Sequence, residues 1–358
     1  MGMRKTVKLE SAYDNLGCVL VEPVIFRSFE LVPAGTKLTW DLINRLHEVR
    51  SEIPFLYIDD METPKKEIKT LSTFTMNELY SKVRSLMSYY SFDSIEDATI
   101  VAEIIESTII GLRDALNFDL DDYLLKLNDI YSHTLNTTVI ATLLAIKSGQ
   151  FTNWIIQQLA LGALLHDIGY IGLLEKYNVS AISDLTVEQQ MEHPVAGYEL
   201  VLDDEYISDM AKKIILMHHY WNHPEESYDV EQGRYLSYPF TYKSKKIPVW
   251  SKSLSVSIVH VSSDFEHFIN DMSPNKMSKK DAIQRIMDRR EIVYGDAALL
   301  LANYISPYSV GDKVKLTNGK IGEVAAMTPL ANRPIITVNN KQLDLAKNKM
   351  VSIAEVVD

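Results

Sequence analysis

The sequence contains one cysteine, Cys18, in 358 residues. An internal disulfide framework is therefore excluded, which suits a reducing compartment. Cys18 sits in the apolar run GCVLVEPVIF and reads as a small buried hydrophobe. No run approaches the about 18 apolar residues of a membrane span. The longest apolar stretch is LALGALL at 159–165. The N-terminus has a basic start but no apolar h-region, so it is not read as a secretory leader. Positive charge is also scarce: the formal net charge is −12 and the pI near 5.3. Such a chain gains no general electrostatic help in binding a nucleic acid polymer. A small anionic ligand would be held by metals or by a few local cations. There is no internal repeat and no low-complexity tract. These absences describe a cytoplasmic protein with no membrane partner.

The apolar fraction of 46% and the charged fraction of 23% are those of a globular chain long enough for a main domain and one or two small ones. Residues 1–65 read as a small α+β accessory domain. It has β-type runs at 18–26 and 54–60, the turn PAGT at 33–36, and one short helix over 38–49. It is a natural place for a homodimer contact or a signalling partner. Residues 66–306 are helical in pattern. Helices are expected at 97–116, 119–148 and 151–168, with Gly169 as the stop of the third. Thr186 and Gln189 form a capping box expected to open the helix that carries His193. Further helices are expected at 207–221, 253–270, 278–289 and 293–304, and 223–250 reads as a long loop beside the site. From 307 to 358 the texture changes to alternating strands, with Asn318-Gly319 as a hairpin turn, which suggests a small β-barrel-like extension. The fold class is mainly α.

Against this background stand seven residues: His133, His166, Asp167, His193, His218, His219 and Asp264. His166-Asp167 ends an apolar helix, so both side chains start from a buried, rigid point. A carboxylate among imidazoles can bridge two cations about 3.5–4 Å apart. Nitrogen and carboxylate donors suit iron, manganese, zinc or nickel better than magnesium or calcium. Water held by such cations ionises near neutral pH and attacks phosphorus or carbonyl centres. Asp129 lies four residues before His133, on the same helix face, and could join the set. His260 and His267 read as helix-surface or supporting residues, and His223 follows the histidine pair closely.

The ordered set His133, HDIG (166–169), HP (193–194), HH (218–219) and Asp264 resembles the HD superfamily of metal-dependent phosphohydrolases, and within it the HD-GYP subgroup. PAGTKLTWDLINRL resembles the small domain that often precedes HD-GYP domains, and YSVGDKVKLTNGKIGEV the β extension that often follows. The resemblance implies an HD-domain helical bundle holding two or three transition metals, iron or manganese foremost. It implies hydrolysis of cyclic di-GMP to the linear dinucleotide or GMP, with metal-bound hydroxide as nucleophile. It places one metal on His133, His166, Asp167 and Asp264, and a second on Asp167, His193, His218 and His219. Some members carry a glutamate where Asp129 stands, as a ligand of a third.

The motif also departs from that family. Tyr170 stands where HDIGK has its lysine, and a neutral phenol does not replace that charge. Tyr220 replaces the glutamate of HHE. His223-Pro-Glu-Glu-Ser-Tyr228 stands where the GYP loop is expected, with Tyr238-Pro239 a faint echo. Ser273-Pro-Asn-Lys276 replaces RPYK, losing the arginine and keeping the lysine. The metal chemistry is thus expected to be intact while the ligand surface is rebuilt. Asp167, Tyr170 and Lys276 are the candidate catalytic residues. Lys276, Tyr170, Tyr220 and His223 are the candidate substrate contacts. The expected function is phosphodiester hydrolysis of a cyclic dinucleotide. The alternatives are a metal-loaded dinucleotide sensor without turnover, or the same chemistry on another small phosphoester.

Overall fold

The structure is a computed structural model. It describes residues 4–9, 12, 15, 18–26, 29–38, 42–43, 46, 55–59, 73–88, 95–113, 120–127, 129–204, 207–219, four two-residue strands between 228 and 246, 253–270 and 276–357. Two compact units are resolved. The first comprises 1–69 with 151–157; the second comprises 70–150 with 158–358.

In the first unit β1 (Arg4–Lys8) pairs antiparallel with β4 (Phe55–Asp59), and β2 (Val24–Phe26) with β3 (Phe29–Val32). The turn at 33–36 is present, with Gly35 at φ 83, a left-handed conformation that glycine adopts without penalty. Cys18, Leu20, Ile43, Leu46, Leu56 and Ile58 share one apolar core, against which Trp154 packs. The thiol is buried there, as its apolar neighbours suggested.

The second unit is built on helices, one of which begins with residues 153–157 of the first unit. These are α1 (Thr73–Ser88), α2 (Ile95–Arg113), α3 (Ile130–Ser148), α4 (Asn153–Leu165), α5 (Gly169–Tyr177), α6 (Val187–Gln190), α7 (His193–Val201), α8 (Asp209–Met217), α9 (Leu254–Ile269), α10 (Lys279–Asp288) and α11 (Asp296–Tyr304). Helix α3 is buried continuously from Ser132 to Ala145, and α9 nearly so from Ser255 to Phe268. A helix buried all round belongs to the centre of a domain. These two pack along one another and carry His133, His260 and Asp264.

Three helix expectations need correction. The helix expected over 119–148 begins only at Ile130, after a short 3-10 turn at Leu120–Asp122. The Asp129 carboxylate accepts from Ser132 N at 2.9 Å, so the residue caps the helix instead of lying within it. Gly169 opens α5 rather than stopping α4, which ends at Leu165. A Cβ at Gly169 would collide with the His193 carbonyl oxygen. That glycine therefore permits the close approach of α5 to α7. The Thr186 capping box is present, but it opens the single turn α6. His193 starts the next helix, where Pro194 lies in the first turn and needs no hydrogen-bond acceptor.

The chain after Pro307 forms a five-stranded antiparallel sheet. Its strands are β5 (Lys313–Leu316), β6 (Ile321–Ala326), β7 (Ile335–Val338), β8 (Lys341–Asp344) and β9 (Ile353–Val356), in the order β8-β7-β6-β5-β9. Gly319 holds φ 81 in the hairpin turn expected at Asn318-Gly319. Val314, Leu316, Val324, Ile336 and Leu345 form the core of this sheet. No described helix is long and apolar enough to cross a membrane.

Candidate metal centre

Four turns of backbone deliver the histidines. His166 and Asp167 follow the last residue of α4, His193 begins α7, and His218 and His219 follow the last residue of α8. His133 comes from the second turn of α3. His133, His166, Asp167, His193 and His218 are all buried.

Three of the histidines are held in one way. His166 Nδ1 lies 2.7 Å from Ala163 O, His193 Nδ1 2.7 Å from Gln190 O, and His218 Nδ1 2.8 Å from Ile215 O. A carbonyl oxygen only accepts, so each Nδ1 carries the proton. In the neutral ring each Nε2 then presents a lone pair, as a metal ligand requires. Burial pushes the His166 pKa down to about 3, and burial likewise lowers that of His218. Both rings are neutral at physiological pH.

These lone pairs converge on Asp167, whose two oxygens face different partners. Oδ1 lies 3.1 Å from His193 Nε2 and 3.6 Å from His218 Nε2. Oδ2 lies 3.4 Å from His166 Nε2 and 3.7 Å from His133 Nε2. His193 Nε2 and His218 Nε2 are only 3.0 Å apart. With both Nδ1 protons directed at carbonyls, two lone pairs and a carboxylate oxygen face one another at that spacing. They repel unless a cation stands between them. Ligand atoms about 2.1 Å from one cation are about 3.0–3.4 Å apart, which is close to the separations here. The His166 Nε2 atom is buried with no hydrogen-bond partner. The residues fit a divalent transition metal on each side of Asp167.

His133 is held differently. Its Nδ1 donates to Glu266 Oε2. Glu266 is 1% exposed, and its Oε1 accepts from Asn136 Nδ2 at 2.9 Å and Asn270 Nδ2 at 2.5 Å. Burial works against the charged ring, but the Glu266 carboxylate and Asp167 overcome it and raise the His133 pKa to about 9. Glu266 was not singled out in the sequence. Its signal was a carboxylate two residues beyond Asp264 on a helix rich in apolar residues.

The other candidates are placed as follows. His219 joins Asp167, His193 and His218, and its pKa is pushed well below normal by burial and by His218. Asp264 groups with His219 and His260, not with His133, His166 and Asp167 as the resemblance implied. His260, read as a helix-surface or supporting residue, is fully buried in that group. Asp129 joins none of the three clusters. Besides capping α3, its Oδ2 accepts from Tyr80 OH at 2.9 Å, so each oxygen already has a hydrogen-bond donor. Tyr170 stacks on His193, ring centroids 4.2 Å apart and 16° between planes. Lys276 is exposed and lines a cavity of about 510 Å³ bordered by Glu266, Asn136 and Asn270, the groups behind His133. Tyr220, His223, Tyr238-Pro239 and Ser273 lie outside the described residues.

The family model described as "HD domain" matches residues 130–249, from the first residue of α3 to beyond the His218-His219 pair. No curated protein matches the chain. One solved structure is similar: Bd1817, described as an HDG"Y"P protein from Bdellovibrio bacteriovorus. The two share 15% identity and align with a TM-score of 0.43, over 84% of this chain and 98% of that one. A likeness at that level carries no weight for fold or activity. Residues 130–249, which hold six of the seven expected ligands, are an HD domain.

Proposed function

We propose that the chain is a metal-dependent phosphohydrolase of HD-GYP type that cleaves a phosphodiester of a cyclic dinucleotide, cyclic di-GMP foremost. The observation that supports this most is the division of Asp167, whose two oxygens each face their own pair of imidazole nitrogens. Iron or manganese suits that donor set, with two ions about Asp167. Bound there, the cations would supply Lewis acidity toward a phosphoryl oxygen and toward water. The chain's own part is to keep that geometry ready. Asp167 stays ionised, His166 and His218 stay neutral, and three backbone carbonyls fix the ring orientations. Burial excludes bulk water from around the ligands, which strengthens every interaction with developing charge.

Tyr170 favours a second reading. A stacked phenol occupies the position where the resembling family has a phosphate-facing lysine. Weaker charge recognition there fits a metal-loaded dinucleotide binder without turnover, or a hydrolase of another small phosphoester. Protein loaded anaerobically with iron or manganese and incubated with cyclic di-GMP separates these readings. Linear dinucleotide or GMP supports the first. Calorimetric binding without product supports the sensor. Product only from other phosphoesters in a panel moves the assignment to another substrate, and no binding or turnover with any of them removes the proposal.

A further inference from the structure

We infer that His219, His260 and Asp264 form a third cation position beside the Asp167 pair, with His260 as a ligand. This rests on the metal-centre reading above and moves the third position away from Asp129, whose carboxylate is committed to Ser132 N and Tyr80 OH. One donor atom from each of His219, His260 and Asp264 lies within 4.8 Å of the others. His260 and Asp264 are four residues apart on the buried helix α9 and so share a face. Nε2 of His260 stands 3.3 Å from Oδ2 of Asp264. A charge-assisted N–H···O⁻ bond is shorter, about 2.7–2.9 Å. Two donors of one cation about 2.1 Å from each are separated by about 3.0–3.4 Å, and the observed spacing falls there.

The Asp264 oxygen that faces His260 is also held by Tyr294. Tyr294 OH donates to its Oδ2 at 2.7 Å, and the Tyr294 ring meets that of His260 edge-on at 5.2 Å. Tyr294 ends a π-helical turn, Arg290–Tyr294, closed by Gly295 at φ 58. Such turns are frequent at functional sites. A hydroxyl that donates to the carboxylate keeps it an acceptor, as a ligand must be. Two imidazoles and one carboxylate suit iron, manganese or zinc. His219 belongs to both this group and the Asp167 group, which makes the third position contiguous with the first two.

Elemental analysis of anaerobically loaded, desalted protein tests the inference. Wild type should carry one equivalent more than His260→Gln, while Asp167→Ala should lose the equivalents of the pair. Wild-type stoichiometry in His260→Gln overturns the third position and leaves the pair standing. Wild type that takes up no cation overturns both readings together. If His260→Gln fails to fold by circular dichroism, crystals of wild type soaked in manganese decide the point. An anomalous peak at bonding distance from His260 Nε2 and Asp264 supports the inference, and peaks beside Asp167 alone refute it.

Discussion

His166, His193 and His218 rest Nδ1–H on backbone carbonyls, whereas His133 rests its own on the buried carboxylate of Glu266. A carbonyl fixes the tautomer without favouring a second proton, so burial dominates and lowers the pKa of His166 and His218. An anionic acceptor in a low-dielectric setting also stabilises the charged ring, and His133 rises to about 9. The two sides of Asp167 therefore differ in the metal-free protein. The Oδ1 side presents lone pairs already aimed, while on the Oδ2 side His133 must give up its Nε2 proton before it can coordinate. The same carboxylate that holds the proton makes the ring a more basic ligand once the proton has left.

Removing what the two sides share should have the largest effect. Asp167→Ala takes the bridging carboxylate from both, and cation affinity should fall by more than about 100-fold at each, beyond the loss expected for a supporting residue. Elemental analysis after gel filtration checks it. A metal-replete Asp167→Ala protein would mean that the histidines do not depend on a bridge, and the comparison of its two sides would lose its basis.

Next is Glu266→Gln, which acts on one side only. In the native protein, uptake on the Oδ2 side releases one proton below pH about 9, so apparent affinity should rise about tenfold per pH unit toward that value. A glutamine offers one oxygen where Glu266 uses two. If that oxygen serves Asn136 and Asn270, its amide donates to His133 Nδ1 and drives the ring proton onto Nε2, the ligand atom. Affinity on that side should drop about 10–100-fold, and the pH slope should flatten, while the Oδ1 side keeps its affinity. Metal titrations from pH 6 to 9 read both quantities. An unchanged slope would falsify the assignment of the released proton to His133.

A smaller effect concerns the stability of the metal-free protein. The folded-state pKa of His133 is raised from 6.5 to about 9, so its contribution is full below 6.5 and is lost as pH rises toward 9. His166 is lowered from 6.5 to about 3, so its contribution is full above 6.5 and declines as pH falls toward 3. The unfolding midpoint of the apo protein should therefore fall on both sides of near-neutral pH. Glu266→Gln should remove the alkaline fall and leave the acid one. Thermal melts in chelator across pH 4–9.5 check this, and identical profiles for the two proteins would contradict it.

The grouping of His166, Asp167, His193, His218 and His219 was legible because spacing and residue type survive in sequence: the dipeptides at 166–167 and 218–219, and a lone histidine before proline at 193. The helical middle and the β tail were legible from their periods of 3.6 and 2. What was not legible depends on contacts distant in sequence. Local sequence marks Glu266 only by its place on an apolar-rich helix; the arrival of His133, 133 residues earlier, makes it a partner. That Asp129 caps the helix of His133 through Ser132 N, and lies outside the three clusters, was not read from its spacing alone. Gly169 looked like a stop because the closeness of α5 to α7, which excludes any side chain there, is a tertiary fact. His260 looked peripheral because its companion, His219, lies on another element.

Tyr170 should give the smallest effect, and it bears on how far the Oδ1 side depends on packing rather than on charge. Its ring lies flat on His193, the only one of the carbonyl-held histidines covered by a stacked aromatic ring among the described residues. Tyr170→Phe keeps the ring and loses the hydroxyl, so cation content and unfolding midpoint should match the native protein. Tyr170→Ala removes a stacked pair worth about 0.5–1.5 kcal/mol, which lowers the midpoint by about 2–4 °C per kcal/mol in a domain of this size. If the hydroxyl donates to a bound phosphoester, Tyr170→Phe lowers turnover at full metal occupancy. If the ring only steadies His193, Phe is silent in both readouts and Ala weakens the Oδ1 side alone. A Phe variant that loses metal would contradict both roles, because each of them leaves the ring that covers His193 in place.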